Sequence, residues 1–372
     1  MTRPTAFIYH EAYDGRGFSR LRDSWRRYGV AHALLNELGY FAEALRRYRQ
    51  EPASEDDLAL VHSADYVAHV RRMDAAGSGC LDYGDTPAYA GVLRRGLVAV
   101  GGTLLAARLV AEGETRHAFN PGGGLHHARR DRAGGFCIFN DLVIAVRRLQ
   151  RDYGLRRVAI VDLDGHHGDG TQDLLYAEPV LTISLHRYDG RFYPGSGTGE
   201  ELGSGAGFGY NLNIPLPRGT DEDAYLLAIR EAVLPRLHAY RPDLLFVQVG
   251  ADGHHADPLV RLALRVSTYG ELGRIVHEAA HDLCGGRLVM VAGGGYKPEA
   301  VARCWAAFLA GVAGPPSEEA AKLLVADERD RPAAANPDAL ACVRETIARL
   351  RHLGALDEPR AQAGTAGGGQ PC

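Results

Sequence analysis

Residues 157–170 read RVAIVDLDGHHGDG, and this stretch decides the fold. Its first seven positions are a largely apolar run that ends on Asp162 and Leu163, the pattern of a strand buried on both faces. Asp, Gly and His follow at once, so chemistry gathers directly at the strand's end. Working outward, runs of the same kind stand at 5–9 (TAFIY), 115–119 (TRHAF), 180–185 (VLTISL), 243–249 (DLLFVQV) and 287–291 (RLVMV), with a weaker one at 209–214. Between them 90–112, 138–153, 221–240, 268–284 and 298–312 are long enough for helices. Strands alternating with helices predict an α/β fold, a mostly parallel sheet with helices on both faces.

The chain has 372 residues, 46% hydrophobic and 24% charged, an ordinary soluble composition that argues against bulk disorder. With 42 basic and 46 acidic residues the formal charge is −4, and without a basic block no nucleic-acid partner is expected. Lys297 and Lys322 are the only lysines, an Arg bias that fits genome composition better than function. The 46 glycines are an excess of a different kind, because several sit beside His and Asp. The six cysteines form no C-x-x-C pair. Residues 1–30 hold no apolar signal core, and no window approaches the roughly 18 apolar residues of a membrane span, so a cytoplasmic protein with no membrane partner is expected. From Gly314 the text turns Pro- and Ala-rich. One catalytic domain is expected over 1–312, a peripheral segment over 313–354 with one helix near 338–353, and a disordered low-complexity tail over 355–372.

Four strand ends carry the chemistry. In extended chain, residues two apart project to one face, so Asp164 and His166 can point at one metal ion with Asp162 on the same row. Asp252, in GADGHH after the strand at 243–249, is a third ligand by position, though alone it reads equally as a helix cap or turn residue. His126 and His127, in NPGGGLHH, suit general acid and base or ligands, and Asp162, Asp164, Asp169 and Asp252 are carboxylates able to orient them. Tyr296, after Gly293-Gly294-Gly295, either packs against its neighbours or donates a hydrogen bond to a developing oxyanion. Parallel sheets bind ligands beyond the carboxyl ends of their strands, which puts all four signals on one rim.

The segments FNPGGGLHHARRDRAGGFCIFND (119–141), DLDGHHGDGTQ, TISLHRYDGRFYPGSG, GADGHHADPL and AGGGYKPEAVA occur in family order, and over residues 5–312 the chain resembles the histone deacetylase superfamily. The NPGGGLHHA and GGGY wording is most similar to the bacterial acetoin-utilisation-type (AcuC-like) deacetylases. The resemblance implies a three-layer arginase/deacetylase-like α/β fold. It implies that Asp164, His166 and Asp252 are zinc ligands, that His127 is general base and acid with His126 giving electrostatic help, and that Asp162 and Asp169 bond to those histidines. Tyr296 would polarise the acyl carbonyl. Phe136 and Tyr193 would wall an acyl-lysine tunnel beside Gly135, Asp85 would grip substrate backbone at the rim, and Asp162, Ser184 and Leu185 would hold a structural K+ or Na+. An Asp2His set is harder than a thiolate site, so Fe2+ or Co2+ are alternatives to Zn2+.

The expected activity is metal-dependent hydrolysis of acetyl-lysine in a protein, with acetylpolyamine or another small acylamine as the alternative substrate. A catalytically silent acyl-binding protein would be expected to have lost Tyr296, a ligand or His127, and all are present. No oligomeric state is implied. The chain departs from the family where a His-Pro-Glu-like opening is usual: here it reads Ser24-Trp25-Arg26-Arg27, with Arg27 a candidate for the interior arginine. Lys297 follows Tyr296 where acidic or amide residues are common. His255, beside Asp252, is read as a rim or core histidine rather than a fourth ligand.

Overall fold

A computed structural model describes residues 4–14, 26–325 and 336–358. The strands are β1 (Thr5–Ile8), β2 (Leu45–Tyr48), β3 (His117–Asn120), β4 (Val158–Asp162), β5 (Leu181–Arg187), β6 (Asn211–Leu216), β7 (Leu244–Gln248) and β8 (Leu288–Val291). They form one eight-stranded sheet in the order β2-β1-β3-β8-β7-β4-β5-β6. Every pairing is parallel, so the sheet expected to be mostly parallel is wholly so. The physical reason is that each connection carries a helix or a long loop back across the sheet, leaving no hairpin to reverse a strand.

The main helices are α1 (Arg27–Glu37), α2 (Ala64–Ala76), α3 (Val92–Ala111), α4 (Asp141–Tyr153), α5 (Asp169–Leu175), α6 (Glu222–Ala228), α7 (Leu234–Tyr240), α8 (Val266–Cys284), α9 (Pro298–Ala313), α10 (Glu318–Val325) and α11 (Pro337–His352). Alternate strand residues enter opposite layers, as period-2 geometry requires. Ala159 and Val161 of β4 pack with α6, α8 and α9 in one core. Val158 and Ile160 pack with α2, α3 and α4 in the other. The single helix expected over 221–240 is α6 and α7 joined by a π-helical stretch, Ile229–Val233.

α1, α2 and α5 fall outside the stretches expected to be helical, and β2 and the C-terminal segment also differ from the sequence expectation. β2 was not expected, because Arg46 and Arg47 interrupt its apolar pattern; an edge strand pairs on one side and tolerates exposed charge. The segment 313–354, expected to carry one helix, carries two among its described residues. The first, α10, is built from EEAAKLLV, all good helix formers except Val. In the second, α11, Ala339, Val343, Ile347 and Leu350 form a buried stripe that joins the core beneath α6 and β6. Residues 359–372 of the low-complexity tail and Ser24-Trp25 of the altered opening lie outside the described residues. Among the described residues no helix is long and apolar enough to cross a membrane.

Candidate active site

The loops that follow β3, β4, β7 and β8 converge at the carboxyl edge of the sheet. After β4 the chain turns on its own carboxylates: the Asp164 N–H donates to Asp162 Oδ1 at 3.0 Å and the His166 N–H to Asp164 Oδ1 at 3.0 Å. Asp252 arrives from β7, and its Oδ1 accepts the Gly165 N–H at 2.8 Å. His166 Nδ1 then lies 2.9 Å from Asp252 Oδ2 and 3.1 Å from Asp164 Oδ1. One ligand atom from each of Asp164, His166 and Asp252 lies within 4.8 Å of the other two, and all three residues are buried. Such close approach needs glycine. A Cβ on Gly250 would stand 2.4 Å from Asp164 Oδ2, and one on Gly294 2.1 Å from Asp252 Oδ2.

This donor set fits a divalent cation. Burial, together with the neighbouring Asp164 carboxylate, pushes Asp252 up to about 7, so two buried carboxylates compete for one counter-charge. Burial opposes charge on His166 as well, yet Asp164 and Asp252 outweigh it and raise the imidazole to about 10. Without a metal that ring takes the counter-charge role. With one bound it must ligate in its neutral form.

The Gly-rich turn after β3 sets the histidine pair. Asp141, the first residue of α4, accepts the Gly124 and Leu125 N–H groups at 3.1 and 2.8 Å, and the Asn140 amide donates to the Ala128 carbonyl at 3.2 Å. These two residues lie in the FCIFND wording but carried no role in the sequence reading. On this frame His126 Nδ1 meets Asp162 Oδ2 at 2.6 Å, His127 Nδ1 meets Asp169 Oδ1 at 2.6 Å, and the two Nε2 atoms face each other at 3.0 Å. Burial disfavours charge on His126, but Asp162 and Asp164 overcome it and push that ring up to about 9. Burial and the adjacent His126 push His127 down to about 4, leaving it neutral. Arg129, unmarked in the sequence, donates to the second Asp169 oxygen at 2.7 Å.

Tyr296 closes the site from β8. Its N–H donates to Asp257 Oδ2 at 3.0 Å, and its ring centroid is 6.3 Å from that of His166. Burial and the nearby Asp252 and Asp164 charges raise its hydroxyl well above 10, so it stays a donor at neutral pH. Phe136 and Tyr193 are 36% and 40% exposed, with centroids 6.2 Å from Tyr296 and 5.1 Å from His127, so they border the opening. Gly135 lies against His127, and its N–H donates to Asp85 Oδ1 at 3.0 Å. Asp85 thus braces the turn that carries Phe136. Ser184 sits opposite Asp162 in the β4–β5 register and Leu185 follows it. Phe192, missed in the sequence, stacks on His166 at 5.1 Å; its signal was adjacency to Tyr193.

The cavity reaches past the histidines into the interior. Arg27, Tyr28 and Arg95 line its depth. Arg27 donates to the Gly295 carbonyl at 2.7 Å and lies over the Tyr28 ring, the interior place suggested for it. His255 and Lys297 line a separate cleft, away from the carboxylate trio.

The histone deacetylase domain family matches residues 22–312. The chain belongs to that family. As a family member it is a hydrolase of the deacetylase type. It is 40% identical over 320 residues to the acetoin utilization protein AcuC of Bacillus subtilis, covering 82% of this chain and 81% of that protein. It is 38% identical over 268 residues to a histone deacetylase-like amidohydrolase of Pseudomonas aeruginosa, covering 71% and 69%. The crystal structure of the HDA15 HD domain superposes with a TM-score of 0.80 at 26% identity, covering 96% of this chain and 97% of that one. The deacetylase fold is therefore the three-layer α/β arrangement described above.

Proposed function

We propose that the protein is a zinc-dependent lysine deacetylase that removes acetyl groups from the side-chain amine of lysine in proteins. The observation that carries this reading is the convergence of a buried Asp2His trio, a carboxylate-anchored imidazole and a protonated phenol on one cavity. Asp164, His166 and Asp252 would hold the ion, and Fe2+ or Co2+ suit the same hard donors. When bound, the ion supplies Lewis-acid polarisation and brings the pKa of water to about 7.

The chain's own groups do the rest. His127 Nε2 takes the proton of the attacking water, and Asp169 at its Nδ1 fixes the ring and supports the charge it gains. Tyr296 donates its O–H to the oxyanion that develops on the acyl oxygen. His127 returns the proton to the amine nitrogen as the C–N bond breaks, giving acetate and the free side-chain amine of the lysine residue. Phe136 and Tyr193 wall the acyl chain and exclude water, and Asp85 at the rim receives substrate backbone. Asp162, buried opposite the Ser184 hydroxyl and beside Leu185, suits a structural K+ or Na+.

The test compares hydrolysis of an acetyl-lysine peptide with that of acetylated putrescine and spermidine, using metal-reconstituted protein and a Tyr296→Phe control. Peptide turnover that falls by roughly 10²–10³ in the control is expected. Preference for the polyamines would move the substrate to the small acylamine class. Full activity of Tyr296→Phe, or activity that survives prolonged chelation, would overturn the mechanism.

A further inference from the structure

A second histidine cluster stands at the opposite end of β3 from the candidate active site. The sequence His277-Glu278-Ala279-Ala280-His281 places two imidazoles one turn apart on α8, the spacing of a helical two-histidine metal motif. His117, the first residue of β3, meets them from the sheet. Its Nε2 is 3.2 Å from His281 Nε2, and ring centroids within the trio are 4.5, 5.0 and 5.2 Å apart. One nitrogen of each ring lies within 4.8 Å of the others.

Two further observations point to a ligand. His277 Nδ1 is buried with no hydrogen-bond partner, a cost that a bound ligand would remove. None of the three rings hydrogen-bonds to a carboxylate among the described residues, unlike the anchored pair His126 and His127. The trio opens onto a groove of about 890 Å³ bordered by Arg116, Glu112, Arg287 and the turn at Val312–Gly314.

We propose that His117, His277 and His281 form a second metal site, taking a divalent ion of imidazole preference such as Zn2+, Ni2+ or Cu2+. Tetrahedral bonds of about 2.0–2.1 Å need nitrogens about 3.3 Å apart, which His117 and His281 already satisfy, and a His277 nitrogen stands within 4.8 Å of both. Three protein ligands leave one position toward the groove. Glu278 is exposed and bonded to Arg274 at 2.6 Å, so it is not aimed at the ion and the site binds without a general base. Its effect is to clasp α8 to the start of β3.

The experiment strips the full-length protein with chelator, dialyses it against defined Zn2+ and counts bound metal by mass spectrometry. The wild type is expected to hold two equivalents. His277→Gln/His281→Gln should hold one and keep its deacetylase activity, since both side chains are at least partly exposed and outside the catalytic cavity. A variant lacking both carboxylates of the Asp2His trio, Asp164→Asn/Asp252→Asn, should hold one, with Ni2+ raising its melting temperature only while His277 and His281 are present. A single equivalent in the wild type, or a second equivalent that survives His277→Gln/His281→Gln, would overturn the proposal. Neither result depends on the identity of the substrate.

Discussion

His126 and His127 face each other Nε2 to Nε2 at 3.0 Å, each anchored through Nδ1 to its own carboxylate, Asp162 or Asp169. The two rings are tuned apart: Asp162 and Asp164 raise His126 against its burial, whereas burial and the adjacent His126 lower His127. Replacing His127 by Asn is expected to lower kcat/KM by roughly 10²–10⁴, the range of general acid–base catalysis. His126→Asn should cost less and should also shift the pH profile. Removing a neighbouring positive charge raises the His127 pKa, so the acidic limb of kcat/KM should move to higher pH. An unmoved limb would show that the two rings are not electrostatically coupled.

The two carboxylate strand ends were legible because they are local: β4 and β7 are short apolar runs, and Asp164, His166 and Asp252 follow within a few residues. Period-2 geometry even placed Asp164 and His166 together. What was not legible comes from distant chain. Arg129 and Asp257 bond to site residues only once the loops fold back, and nothing in their spacing announces it, whereas Phe192 was overlooked although it stands beside Tyr193. Asp141 looks like an ordinary first-turn acid of α4, yet it also holds the Gly124 and Leu125 amides that aim His126. β2 hid behind Arg46 and Arg47, which an edge strand can leave exposed. The trio His117, His277 and His281 joins a strand to a helix 160 residues later, so only the fold reveals it.

Gly135 tests how tightly the catalytic ring is held. Its φ is +51°, and a Cβ there would stand 2.2 Å from His127 Cδ2. Gly135→Ala is expected to push the imidazole off Asp169 and lower kcat about 10²-fold, the cost of a misplacement near 1 Å. The melting temperature should change little, because the turn lies at the rim. Wild-type turnover with the alanine in place would show that His127 does not need this position.

Asp85 gives a pH signature at the rim. Burial and its contact with Asp82 push it up to about 6, while backbone N–H groups and Asp85 itself hold Asp82 ionised despite its own burial. Below pH 6 Asp85 is therefore neutral and a poorer acceptor for substrate backbone amides. KM for an acetyl-lysine peptide is expected to rise as pH falls through about 6. Asp85→Asn should give a higher KM without that inflection, with kcat nearly unchanged. Identical KM profiles for variant and wild type would remove Asp85 from substrate binding.

His62 governs acid stability away from the chemistry. Its Nδ1 donates to the Arg129 carbonyl at 2.9 Å and its Nε2 accepts the Asn140 N–H at 3.0 Å, so both nitrogens are committed to the neutral ring. Burial, partly offset by the Arg129 carbonyl, pushes its pKa down to about 4. The unfolded chain, with an ordinary histidine near 6.5, binds more protons between those values, so stability is complete above about pH 6.5 and is lost as pH falls toward 4. The single group accounts for about 2 kcal/mol between pH 7 and pH 5. Denaturant titrations at the two pH values should show His62→Gln less stable than wild type at pH 7 but less sensitive to acid by that amount. Equal acid sensitivity in both proteins would mean that His62 is protonated in the native state, which its two hydrogen bonds forbid.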